Sequence, residues 1–222
     1  LYEDFGLFTC DPEITADVAD MFNLLTGFGR PPQFRKVLVA PAHMRNGLLA
    51  EIERTVEAHK RGEPARIRIK VNSLVDQRSI QALYEASQAG VPIDINVRGI
   101  CSLVPGVPGV SDNITVRSVV GRFLEHARIY SFVAGDEERF FIGSADLMPR
   151  NLDDRVELLC PVESADIRAE LSDTLDRCLA DDTNSWELDC DLVWTRRSGR
   201  TRNVHAELMQ LALDRVAQHQ ES

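Results

Sequence analysis

From Phe34 to Val97 the chain switches repeatedly between short apolar runs and longer stretches whose apolar residues recur at helical spacing, and this switching constrains the fold more than any single motif. Val37, Leu38 and Val39 read as a short buried strand, and Met44, Leu48, Leu49, Ile52 and Val56 trace one face of a long helix closed at Gly62. Ile67 and Ile69 mark a second strand; Ile80, Leu83 and Tyr84 mark a helix ending at Gly90; Ile93, Ile95 and Val97 mark a third strand. That order predicts an α/β fold, a mostly parallel mixed sheet joined by right-handed crossovers and flanked by helices. Ligands of such sheets gather at the carboxyl ends of strands. Arg98 and Gly99 stand at such an end, where glycine admits a close backbone or phosphate approach. On periodicity alone, the simpler reading of Arg98 is an ion pair with an acid such as Asp94.

A second constraint lies between Gly121 and Val162. His126-Ala127-Arg128 opens an alternating run through Ile129, Tyr130, Phe132 and Val133, a strand in which His126 and Arg128 share one face. The Gly135-Asp136-Glu137-Glu138 turn returns the chain through Arg139 to Ile142, giving a β-hairpin that carries the histidine. Gly143-Ser144-Ala145 ends it with residues small enough for close backbone approach, and Arg150 and Arg155 precede a further strand at Val156–Cys160. One imidazole among several guanidiniums suits phosphoryl chemistry. Imidazole accepts a phosphoryl group or moves a proton near neutral pH, and guanidiniums neutralise phosphate oxygens through paired hydrogen bonds. A lone strand histidine is more often structural, and Asp146, Asp153, Asp154 and Glu157 are each able to orient its second nitrogen; spacing does not choose among them.

The net charge of −10 argues against a polyanionic ligand only on average. The acids gather in candidate helices, among them Asp17, Asp20, Asp166, Glu170, Asp173 and Asp176, while arginines gather near the candidate site. No broad basic face with interleaved aromatics is visible, so nucleic acid is not an expected partner. Five scattered cysteines without a C-x-x-C pair read as reduced thiols, neither a zinc site nor a disulfide frame. There is no signal peptide and no apolar run near the ~20 residues that cross a bilayer. The expected compartment is the cytoplasm, with membrane association left open for a full-length form.

Elsewhere, Asp11-Pro12-Glu13 starts a helix to about Leu25, stopped by Gly27, Gly29, Pro31 and Pro32. Ser164 is placed to cap a helix through Ile167, Leu171, Leu175 and Cys178, and Asn203 to cap the last helix. Arg196, Arg197, Arg200 and Arg202 cluster around Ser198-Gly199. His43, His59, His205 and His219 show no partner spacing and read as exposed or packed helix residues.

Four phrases resemble, in order, the C-terminal region of bacterial polyphosphate kinases of the first type. They are Arg98-Gly99-Ile100-Cys101-Ser102-Leu103, Gly106-Val107-Pro108-Gly109-Val110-Ser111-Asp112-Asn113-Ile114, Leu124-Glu125-His126, and Ser144-Ala145-Asp146 with Met148-Pro149-Arg150-Asn151. The resemblance runs over essentially the whole chain. It implies a phospholipase D-like architecture in which two similar α/β halves each bring a His-x-Lys-like strand to a shared site. Here Arg128 stands where phospholipase D proteins have lysine, and because guanidinium is a poorer proton donor its expected role is electrostatic or structural. The implied activity is reversible transfer of the terminal phosphate of ATP to polyphosphate through a phosphohistidine upstream of this chain, with Mg2+ whose ligands also lie outside it.

His126 is then the catalytic residue supplied here, and Tyr2, Arg98, His126 and Arg155 bind ATP and phosphate. Arg128, Arg150, Arg196 and Arg197 are candidate polyphosphate contacts, and no metal ligand is assigned. The implied partners are ATP or ADP, inorganic polyphosphate, the rest of the same polypeptide and, at full length, further copies of it. Residues 1–30 read as a remnant of the preceding catalytic domain or an entry segment and 31–222 as the C-terminal domain, a fragment expected to be silent alone. Two other readings stay open: a phospholipase D-like phosphodiesterase using His126 against a symmetry mate, and a noncatalytic nucleotide- or polyphosphate-binding and oligomerisation module.

Overall fold

The hairpin after His126 lies inside a nine-stranded sheet in the computed structural model, which describes residues 1–27 and 33–221. In chain order, β1 (Tyr2–Glu3), α1 (Pro12–Leu25), β2 (Leu38–Ala40) and α2 (Met44–Lys60) precede β3 (Ala65–Val71), α3 (Gln77–Gln88) and β4 (Ile93–Val97). Next come β5 (Ile114–Val119), the short β6 (Leu124–Glu125), the hairpin β7 (Arg128–Ala134) and β8 (Glu137–Gly143), one π-helical turn (Arg150–Asp154) and β9 (Glu157–Val162). α4 (Ala165–Ala180), β10 (Ser185–Leu188), β11 (Trp194–Arg196) and α5 (Val204–Glu221) follow. The strand order is β11-β10-β5-β4-β3-β7-β8-β9-β2, and β1 and β6 form a separate parallel pair.

The α/β class holds, but the expectation of a mostly parallel sheet does not. Of the eight neighbouring pairs only β3–β4 and β4–β5 are parallel. The tight turn at Gly135, in the left-handed region at φ 64°, commits β7 and β8 to antiparallel pairing. β2 pairs antiparallel with β9 at the far edge instead of lying beside β3. Its 17-residue helix α2, roughly 25 Å long, is long enough to return the chain across the four strand spacings to β3.

α2 and α3 cover one face, where Met44, Leu48, Ile52 and Leu83 pack on Ile67, Ile69, Ile95, Tyr130 and Phe132. Strand alternation sends Arg68 and Lys70 to the other face, beneath α4. There Leu171 and Leu175 pack on Ile129, Phe140 and Ile142, and Arg68 reaches Glu138 and Asp176. α5 closes over the end of α4 through Val204 and Cys178.

The Asp11 side chain accepts from the Glu13 and Ile14 N–H groups and Pro12 opens α1, as expected. The stops at Gly29, Pro31 and Pro32, and the boundary expected at 30/31, lie outside the described residues, as does the side chain of His219. Asn203 caps α5 by accepting from Ala206 N–H, whereas Ser164 holds the N-cap position of α4 without a side-chain capping bond.

α1 is tied to the approach to β2 by Asp17, fully buried, whose carboxylate accepts the N–H groups of Arg35, Lys36 and Val37 and the Arg35 guanidinium. Burial alone would raise this carboxyl, but those donors hold it below the ordinary 3.8. Asp17→Ala orphans three N–H groups and should cost about 3 kcal/mol in urea denaturation. Because the folded value is depressed, the contribution is complete above pH 3.8 and is lost as pH falls below it, so the wild-type and variant curves should converge in acid.

Candidate active site

Antiparallel pairing of β3 with β7, with Lys70 opposite Ile129, sets the start of the hairpin beside the carboxyl ends of the parallel strands. Arg128 pairs with Gly143, where a Cβ would overlap the Leu158 carbonyl oxygen, so the close approach expected there requires glycine. Just past β3, Asn72 N–H donates to Asp146 Oδ1 at 2.7 Å. The same carboxylate receives Arg128 Nε on Oδ1 at 3.2 Å and Nη2 on Oδ2 at 3.1 Å. Tyr130 donates its hydroxyl to Ala145 O at 2.9 Å; burial, then the adjacent Asp146 charge, pushes its pKa well up and keeps that proton in place. Arg98 Nε donates to Asn72 Oδ1 at 3.2 Å. The ion pair considered for Arg98 is absent, since Asp94 is taken by Arg66 at 2.7 Å.

His126 Nδ1 lies 2.6 Å from Asp4 Oδ2, and the Tyr2 ring stands edge-on to the imidazole with centroids 5.3 Å apart. Arg128 Nη1 is 3.3 Å from Nδ1 and 3.2 Å from Nε2. An atom almost equidistant from two nitrogens whose lone pairs diverge cannot lie along both, so the guanidinium sits over the ring. With Nδ1–H donated to Asp4, Nε2 keeps its lone pair for another partner. Tyr2, His126, Arg128 and Arg98 are thus joined in one connected set through Asp146 and Asn72. Beside His126, Asp4, Arg128 and Ser144, a cavity of about 390 Å³ runs inward over Phe5 and Leu7. A larger open groove of about 960 Å³ between α2 and α3 carries none of these groups.

The other candidates are placed less closely. Arg155 is exposed at the start of β9, with Nη1 3.9 Å from Glu157, and touches none of the set. Arg150, in the π-helical turn, is exposed and has no ion-pair partner among the described residues. Arg196 and Arg197 lie at the same end of the sheet but on and beside β11, five strand spacings from β7, roughly 24 Å away. Their guanidiniums donate to Thr183 O at 3.0 Å and Asp181 O at 2.6 Å, satisfying carbonyls beyond α4, so the structure does not bring them to the site.

None of the four acids considered as orienting partners of His126 fills that role. Asp146 holds Arg128, Asp153 holds Arg45, Glu157 accepts from Asn151, and Asp154 is exposed. Asp4 takes the role, brought from the other end of the chain by the β1–β6 pair, for which no local pattern gives a signal. His205, expected to lack a partner, has Nε2 2.5 Å from Glu125 Oε1. Lys70, also unanticipated, is buried with Nζ 2.9 Å from Glu3 Oε2 and 2.7 Å from Glu125 Oε2. No group of three or more His, Cys, Asp or Glu side chains among the described residues is placed to hold a metal. Asp146 and Glu157 are already engaged, and the residues present do not fit a dedicated Mg2+ site.

The mixed sheet with helices on both faces has a phospholipase D-like α/β fold. The fold likeness extends to Nuc from Salmonella typhimurium, a phospholipase D family member, at TM-score 0.51 and 13% identity over 69% of this chain and 97% of that one. A family model described as polyphosphate kinase C-terminal domain 2 matches residues 37–207, and the chain belongs to the polyphosphate kinase family. It is 52% identical over 198 residues to the polyphosphate kinase of Streptomyces coelicolor, covering 89% of this chain and 26% of that protein. It is 48% identical over 220 residues to that of Thermosynechococcus vestitus, covering 97% and 30%. The crystal structure of polyphosphate kinase from Porphyromonas gingivalis superposes with TM-score 0.89 and 38% identity, covering 93% of this chain and 32% of that one. The chain therefore spans less than a third of these relatives.

Arg128→Ala leaves the buried Asp146 carboxylate without its cation and should cost about 3 kcal/mol in urea denaturation. His126→Ala, at a half-buried position, should cost under about 1 kcal/mol. Asp4→Ala should shift the His126 hydrogen toward Nε2, read from imidazole nitrogen and carbon shifts by NMR; an unchanged tautomer would count against Asp4 as the orienting group.

Proposed function

We propose that this chain supplies the nucleotide- and phosphate-facing part of a reversible ATP:polyphosphate phosphotransferase. The observation that carries the proposal is the uncompensated charge of Arg98. In a chain with 35 acidic and 25 basic residues, this guanidinium meets, among the described residues, only the neutral Asn72 amide, so an incoming phosphate supplies its counterion. Arg128 adds charge over the imidazole, and Nε2 of His126, aimed by Asp4, takes or gives a proton at the transferring group. The exposed Tyr2 ring offers a flat surface to the nucleotide. Arg150, exposed, and Arg155, exposed and held only at 3.9 Å by Glu157, face outward to meet phosphates farther along a chain substrate.

The histidine that attacks the terminal phosphate of ATP, releases ADP and passes the phosphoryl group on from its phosphohistidine form belongs to the part of the whole protein outside this chain. Mg2+ is assigned to substrate phosphates and to ligands outside this chain, and no step here runs through it. A cytoplasmic setting, self-association at full length and the absence of a nucleic-acid partner belong to the same proposal. Among the described residues no helix is long and apolar enough to cross a membrane.

In full-length polyphosphate kinase carrying this sequence, His126→Ala and Arg98→Ala should each lower transfer about a hundredfold or more with melting temperature nearly unchanged. The 222-residue chain alone should form no polyphosphate from ATP. Synthesis by that chain would show that it has its own nucleophile, and ATP-independent cleavage of a diester would favour the phosphodiesterase reading.

A further inference from the structure

A ladder of two residues is too short to hold itself, yet the site depends on one. β1 and β6 pair Tyr2 with Leu124 and Glu3 with Glu125, with backbone bonds from Leu124 N–H to Leu1 O and from the His126 and Ala127 N–H groups to Glu3 O, and the next residues, Asp4 and His126, make the 2.6 Å contact. Side chains alternate along a strand, so Tyr2, Asp4 and His126 face the site while Glu3 and Glu125 turn beneath it. There both meet Lys70, 2% exposed, which also donates to Ala127 O at 3.2 Å. Glu125 Oε1 faces His205 Nε2 from α5 at 2.5 Å. His205 Nδ1 accepts Phe123 N–H at 3.4 Å, which puts the ring hydrogen on Nε2, where it is donated to Glu125.

We propose that Lys70, Glu3, Glu125 and His205 form a buried clamp that positions Tyr2, Asp4 and His126 for phosphoryl transfer, none of the four touching substrate. This rests on the functional reading above. The ammonium projects from β3, hydrogen-bonded between β4 and β7, so it is a fixed reference to which both short strands are tied. A buried ammonium is satisfied only when both carboxylates arrive, and each carboxylate belongs to a different strand of the ladder. The arms are unequal. Burial alone would raise Glu125, but the His205 bond and the Lys70 charge hold it down at about 2. Glu3 is raised by burial and by the Glu125 charge in spite of Lys70. Glu3, less deeply buried and held by Lys70 alone where Glu125 is also held by His205, is the weaker arm, and it is the arm that carries Tyr2 and Asp4.

Glu3→Gln tests this, because it releases one arm and leaves the Lys70–Glu125 pair intact; His205→Gln, which keeps an N–H donor toward Glu125, should by contrast retain much of the native behaviour. In full-length polyphosphate kinase carrying this sequence, Glu3→Gln should lower kcat about tenfold to a hundredfold, more than its accompanying drop in melting temperature explains, since Glu125 and Ala127 O still hold the ammonium. In the 222-residue chain the same change should make the His126 imidazole NMR signals lose the tautomer set by Asp4. Arg68→Met is the control: it breaks the buried ion group two residues away on β3 without reaching β1 or β6, and should destabilise the fold while leaving kcat and the His126 signals unchanged. Native kcat and native His126 signals in Glu3→Gln would overturn the clamp, as would equal losses in Arg68→Met at matched stability. If His126→Ala itself leaves transfer intact, the functional reading fails, and the NMR comparison still decides the clamp by itself.

Discussion

Asp146 is the point at which the fold and the site become one problem. Its carboxylate, nearly out of water, takes a backbone N–H from the end of β3 and both forks of a guanidinium from the start of β7. A buried carboxylate stripped of its cation costs about 3–5 kcal/mol, a large share of the 5–15 kcal/mol that holds an ordinary domain together. The ends of β3 and β7 and the loop after β8 are therefore obliged to meet. Once they do, Asn72 sets Arg98 and Arg128 lies over His126.

The second theme is unequal neutralisation. Arginine is common along this chain, but the guanidiniums differ in what they already hold. Arg66, Arg68, Arg139 and Arg177 have carboxylate partners, and Arg196 and Arg197 satisfy carbonyls. Among the described residues, Arg98 and Arg150 keep their charge without an acid. A cationic opening can thus persist in an acidic protein, because field at a site follows local pairing more than the sum over the surface.

Much of this was legible in the sequence. Apolar period located α2, β3, α3, β4 and the hairpin, because burial acts on each segment separately. Which strand lies beside which was not legible: Val37 to Val39 read as an ordinary parallel neighbour, while β2 lies at the far edge, against β9. Ile67 and Ile69 marked the strand, but nothing in the pattern showed that Arg68 and Lys70 between and beyond them are buried beneath α4. Of the residues the resemblance grouped, Tyr2 and His126 meet and Arg98 is linked to them through Asn72, Asp146 and Arg128, while Arg155 stands apart beside Glu157. Asp4 and His205 were missed for the same reason: their partners are 122 and 80 residues away, and only three-dimensional pairing brings them close.

β2 and β11, the two edges of the nine-stranded sheet, are each three residues long. They offer an approaching chain very little open backbone to zip onto, so the sheet is effectively closed to growth from either side. Contact between copies would then fall to side chains on helices and loops, surfaces that substitution can reshape without disturbing the strands.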